Sequence, residues 1–129
     1  MSYALTTTLT TPYDEAVEAV REALGEQGFG VLTEIDIKAT LKKKLDVDVP
    51  AQVILGACRP PLAHAALQAE PSIGLLLPCN VVVRETQDGT VVEAVDPQAM
   101  VTVTENGDLQ PVADEAKERL EKALASLSA

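Results

Sequence analysis

The dipeptide Asp88-Gly89 is the feature that most restricts how this chain can fold. It stands between two alternating, β-branched runs, residues 75–86 and 90–95. Asp-Gly in that position predicts a tight hairpin turn, because the turn needs backbone conformations that glycine adopts freely and aspartate tolerates. A two-residue hairpin can join only antiparallel strands. The signal therefore argues against an all-parallel sheet, even though the rest of the chain alternates strand and helix patterns.

Those patterns run as follows. Residues 3–10 set Tyr3, Leu5, Thr7 and Leu9 on one face against Ala4, Thr6 and Thr8, which is a strand with one wet face. Thr11 and Pro12 predict an N-cap and a first-turn proline, followed by Tyr13, Ala16, Val17, Val20 and Leu24 at helical spacing. Gly25 and Gly28 are stop signals. Residues 30–37 alternate Val31, Thr33, Ile35 and Ile37 against Leu32, Glu34 and Asp36, a second strand. Asp36 can cap a short helix through Leu45, striped by Ile37, Leu41 and Leu45. Residues 51–57 form a short apolar strand, and Pro60-Pro61 opens a helix whose buried side is Leu62, Ala63, Ala66 and Leu67. Residues 96–107 read as irregular. A last helix carries Val112, Ala116, Leu120, Ala123, Leu124 and Leu127 inward, with Glu115–Arg119 and Glu118–Lys122 as i, i+4 pairs on its wet face. The order β-α-β-α-β-α-β-β-α, with half-wet strands, predicts an α+β fold: a mostly antiparallel sheet with helices packed on one face.

The chain has 129 residues, a length that fits one domain spanning 1–129. Its only aromatics are Tyr3, Tyr13 and Phe29, so the core must be aliphatic. The net charge of −10 opposes nucleic acid and anionic membranes as partners. The longest apolar stretch, residues 73–83, is too short to span a bilayer and reads as a buried strand. No charged n-region followed by an apolar segment opens the chain, and two cysteines cannot frame a disulfide scaffold of this length. The expected location is cytoplasmic.

One set of residues resembles a known family. It comprises Gly28-Phe29-Gly30-Val31, Glu34-Ile35-Asp36, Gly56-Ala57-Cys58-Arg59-Pro60, Ala63, Ala66-Leu67, Pro71, residues 74–83 with their Leu-Pro-Cys-Asn block, and Asp96-Pro97. Together they resemble domain-of-unknown-function family three hundred and two, found in bacteria and archaea. The resemblance implies a TATA-binding-protein-like β-α-β-β-β-β-α arrangement, here with short extra helices, assembled as a homodimer. It implies no established activity, and any cofactor is unknown. Many family members carry another residue at the positions of Cys58 and Cys79, and position 59 is often Asn where this chain has Arg59.

The cysteines are the most suggestive chemistry. If strands 51–57 and 75–86 are antiparallel neighbours, Cys58 and Cys79 lie close. Cys58 also precedes a helix start and adjoins Arg59, both of which favour thiolate. The pair could serve as redox thiols, with Cys58 attacking and Cys79 resolving, or as soft-metal ligands; the alternative is burial of both as small hydrophobes. His64, the single histidine, points away from the buried side of its helix, and no closely spaced ligand pairs appear, so no metal site is expected. Glu34 and Asp36 share a strand face and could hold a proton or a cation between them. Lys38, Lys42, Lys43 and Lys44 read as a solvated helix face.

Three functional readings follow. The first is a binding module for a small molecule, its site formed by Cys58, Arg59, Cys79 and Asn80, with leucines as the apolar wall. The second is a structural or partner-binding homodimer without chemistry. The third is a thiol-dependent redox protein. No catalytic residue is assigned.

Overall fold

The two valine-rich runs do pair as a hairpin. In a computed structural model describing residues 3–128, β4 (Cys79–Thr86) and β5 (Gly89–Val95) lie antiparallel, with Val83 opposite Val92 and Val81 opposite Ala94. The connecting residues are Gln87 and Asp88, one position earlier than the Asp88-Gly89 signal suggests. Gly89 opens β5 with φ of 140°. A Cβ at that position would collide with the carbonyl oxygen of Leu9, so the glycine serves the close approach of the neighbouring strand.

That neighbour is β1 (Ala4–Leu9), which extends the sheet beyond β5. On the other side, β3 (Gln52–Cys58) pairs with β4, and β2 (Gly30–Asp36) pairs with β3. The strand order is β1-β5-β4-β3-β2, and every pairing is antiparallel. Alternate residues Val53, Leu55, Ala57, Val81, Val83, Val92 and Ala94 face inward and are buried. Helices α1 (Tyr13–Glu26) and α5 (Gln110–Leu127) cover that face with Ala16, Val20, Ala23, Leu24, Leu120, Ala123 and Leu124. Each fully buried Val or Leu of this layer contributes about 1.5–3 kcal/mol. The result is the α+β architecture the periodicity predicts. The helical stripes of α1 and α5 hold, as do the Glu115–Arg119 and Glu118–Lys122 ion pairs at 2.9 and 3.0 Å.

A second, smaller apolar cluster lies beside the sheet end. It joins Ala66 of α3 (Pro60–Ala69), Ile73 of a 3-10 turn (Pro71–Leu76), Met100 of α4 (Gln98–Thr104), Leu109, and Val112 of α5. Asn106 ties this region together: its Nδ2 donates to the Ala69 carbonyl and to Glu70 Oε1, both at 3.0 Å. The short α2 (Ile37–Leu45) has no buried residue. Its lysines are all exposed, as expected.

Four local readings need correction. Residues 71–76 are a 3-10 turn rather than strand, with Leu75 87% exposed, and β4 begins only at Cys79. Pro78 precedes it, and a proline cannot donate to a ladder. Helix α4 occupies the stretch read as irregular. Its Val101-Thr102-Val103-Thr104 run carries strand-favouring residues and hides it, while Asp96 Oδ1 starts it by accepting the Gln98 N–H at 2.9 Å. Thr11 does not cap α1; the helix has no side-chain cap, and the Thr11 carbonyl instead accepts from Thr90 Oγ1 at 2.7 Å. Finally, β2 carries a bulge at Leu32, between the Val31–Ala57 and Thr33–Gly56 pairs. The bulge shifts the alternation, so Val31 shares a face with Glu34 and Asp36.

Candidate functional site

The bulge marks the rim of an almost wholly apolar hollow. Residues from five parts of the chain converge there, beginning with the end of α1. The Gly28 N–H bonds the Gly25 carbonyl at 3.0 Å, and the Phe29 N–H reaches back to the Leu24 carbonyl at 3.0 Å. With Gly28 at φ of 84°, this is a Schellman motif, and it delivers Phe29 into the core beside Leu24. The bulge then sets Leu32, 68% exposed, at the mouth of the hollow.

Strand β3 supplies Ala57, Cys58 and Arg59 as it leaves the sheet. Pro60 and Pro61 then force the turn into α3 and fix its first residues at helical φ. Helix α3 lays Leu62, Ala63 and Ala66 along one wall. Leu77, Pro78 and Cys79 close the end of β4, and Met100, Val112 and Ala116 form the far side. The hollow, open at its mouth, measures about 240 Å³. For scale, a dry cavity of roughly 150 Å³ admits benzene.

The lining is almost wholly apolar. Arg59 is its one charged side chain, and no carboxylate borders it. The Arg59 Nε is buried with no hydrogen-bond partner, lying against the Gly28 backbone, where an added Cβ would be 3.0 Å away. Its Nη1 stands 3.7 Å from Glu115 Oε2. That carboxylate is held more closely by Arg119 Nε at 2.9 Å, and Arg119 Nη1 also donates to the Gln27 carbonyl at 3.2 Å. The first turn of α3 offers no open amide for an anion: two of its residues are proline, and the Leu62 and Ala63 N–H groups both bond the Arg59 carbonyl.

The sequence-derived residues separate here. Cys58, Arg59 and Cys79 all border the cavity. Strands β3 and β4 are antiparallel neighbours, yet the register sets Ala57, not Cys58, opposite Cys79. The pleat turns adjacent residues to opposite faces, so the two thiols do not form a pair. Both cysteines are free. Burial pushes the Cys79 thiol up to about 11, with a smaller push from Cys58, so Cys79 stays protonated at neutral pH. Asn80, opposite Gly56, is exposed on the outer face of the sheet and does not line the cavity. His64 is exposed, as its helical position predicts.

Glu34 and Asp36 are also elsewhere, on edge strand β2 under α1. Glu34 pairs with Arg21 at 2.7 Å, and Asp36 accepts the Ala39 N–H at 2.9 Å as the cap of α2. Burial and the carboxylates of Asp36, Asp14, Glu34 and Glu85 hold the Tyr13 phenol above its ordinary value. Among the described residues, no group of three or more His, Cys, Asp or Glu side chains could hold a metal ion.

Phe29, Leu32, Met100, Val112 and Ala116 complete the cavity, and sequence reading missed all five as site residues. Four of them carry only the ordinary hydrophobicity of the core, and Leu32 is an exposed residue at a bulge.

The family assignment is now direct. The model of the family described as "Domain of unknown function DUF302" matches residues 5–127. This chain belongs to the DUF302 family. A crystal structure of an uncharacterized conserved DUF302 protein from Bacillus stearothermophilus is similar at a TM-score of 0.90 and 28% sequence identity. The match covers 97% of this chain and 98% of that one. No curated protein matches the chain. The DUF302 domain has no described helix long and apolar enough to cross a membrane.

Proposed function

We propose that this DUF302 domain is a binding module for a small, largely apolar molecule, held in the cavity bordered by Cys58, Arg59 and Cys79. The observation that carries the reading is the cavity itself: about 240 Å³, lined by apolar side chains and edged by one cation. Ligand sites of soluble domains commonly combine an apolar wall with very few polar groups that orient the ligand. The thiol-exchange reading has less behind it, since Cys79 is protonated and out of step with Cys58. We propose that Cys58 is the more reactive of the two thiols toward an added reagent.

The test is a titration of the domain with 1-octanol, followed by methyl NMR. Binding in the cavity shifts Leu62, Ala63, Met100 and Val112, and Ala63→Phe, which fills the space from α3, abolishes the shifts. Absence of saturable shifts in the wild type refutes the reading.

A specific feature also supports self-association. On the outer face of the sheet Ile35, Ile54 and Val82 form an aliphatic row across β2, β3 and β4, with Ile35 exposed. We propose a homodimer closed over this row, with native mass spectrometry as its test; a monomer at micromolar concentration rejects it.

A further inference from the structure

We propose that the ligand of this cavity is an amphiphilic carboxylate, its apolar body enclosed by α3, α4 and α5 and its carboxylate held by Arg59. The inference rests on the cavity being a binding site, and adds the chemistry of what enters it.

Charge is the first argument. The chain has 20 acidic residues against 10 basic ones, yet no acid borders the cavity and one guanidinium does. At the mouth, Arg59 and Arg119 share the single carboxylate of Glu115, which leaves a local charge of +1 in a protein of net charge −10. An anion is attracted to that point and repelled by most of the remaining surface.

The second argument is the loosely held end of the guanidinium. Arg59 Nε is sealed against Gly28 without a partner, and Nη1 has only Glu115 Oε2 at 3.7 Å, a carboxylate that Arg119 holds more closely at 2.9 Å. A ligand carboxylate can accept charge-assisted hydrogen bonds from the Nη groups.

The third is size. A space of about 240 Å³ exceeds what benzene needs and falls below the usual range of drug-sized pockets. It suits a medium acyl chain or a bicyclic ring attached to the carboxylate. The apolar wall contributes binding energy without orientation, and Arg59 supplies the orientation.

Calorimetric titration with three probes of matched chain length decides the matter: octanoate, octanamide and octylammonium. The expected order is octanoate tightest, octanamide weaker by about tenfold or more, and octylammonium weakest, since a charge-assisted hydrogen bond is worth at least that factor. Arg59→Met keeps the aliphatic stem and removes the guanidinium. In that variant octanoate should bind no more tightly than octanamide, so that the preference for the acid over the amide is lost. Equal binding of octanoate and octanamide to the wild type overturns the carboxylate inference while leaving the cavity reading intact. Preference for octylammonium, or an octanoate preference that survives in Arg59→Met, also overturns it. Failure of all three probes to bind overturns both readings. The wild-type comparison stands alone if the variant does not fold.

Discussion

Replacing Gly28 tests the link between a helix cap and the cavity. Gly28 ends α1 at φ of 84°, a left-handed conformation. Alanine there costs about 1–2 kcal/mol. Restricting the unfolded chain offsets roughly 0.4–1 kcal/mol of that. Gly28→Ala should therefore destabilise the domain by about 1 kcal/mol, which lowers Tm by roughly 3–6 °C at this chain length. Gly25, one turn earlier, is the control. It is helical, and a Cβ there meets nothing within 4 Å. Gly25→Ala should stabilise by about 0.5–1 kcal/mol. Urea unfolding of both variants, fitted with a common m-value, reads the difference of about 1.5–2 kcal/mol directly. A second readout concerns Arg59. The new Cβ of Gly28→Ala would lie 3.0 Å from Arg59 Nε, so the guanidinium must shift by a few tenths of an ångström. Octanoate affinity should then fall while octanamide affinity holds. Asparagine tolerates the left-handed conformation better. Gly28→Asn should accordingly recover stability without recovering octanoate affinity. If Gly28→Ala proves as stable as Gly25→Ala, the Schellman geometry and the argument built on it are wrong.

Two further outcomes follow from the same geometry. The Cys79 thiol, raised from an ordinary value of 9.0 to about 11, keeps its proton in the folded state where the unfolded chain has lost it. Its contribution is thus complete below about pH 9 and declines as pH rises toward 11, by an amount on the order of 2 kcal/mol; urea unfolding from pH 8 to 11 should show a decline that Cys79→Ala flattens, and an equal decline in the variant refutes the assignment. Helix α2 buries no residue and depends on its cap, so Asp36→Ala should weaken it by about 1 kcal/mol; amide exchange should quicken across Lys38–Leu45 with little change in the global unfolding midpoint, and unaltered exchange there counts against the cap.

The parts of this fold that were legible in sequence are those whose signal is local. The stripe of α5 and the alternation of β4 and β5 repeat within a few residues, and each repeat is reinforced by the next. The bulge at Leu32 has no such signal. It depends on Gly56 across the ladder, where a side chain would strike Thr33 and Pro78, three residues that only the folded sheet brings together. Asn80 is a different kind of miss. With Cys79 inward, strand alternation alone sends Asn80 to the other face, so its exclusion from the cavity was available from the sequence. The cavity is the least legible feature, because its cause is an absence of volume. Ala57, Ala63, Ala66 and Ala116 come from β3, α3 and α5 and border one space. In sequence each reads as a good helix former or a small core residue. Assembled around the same point, they are too small to bring the main core and the smaller cluster into contact. A Leu or Phe at any one of them would close most of the gap, since interiors pack to near-crystalline density wherever side chains allow. The cavity is thus written as four alanines, three within the β3–α3 stretch and one on the distant α5, and Arg59 at its edge is the one charged residue among the lining, whose chemistry points to what could fill it.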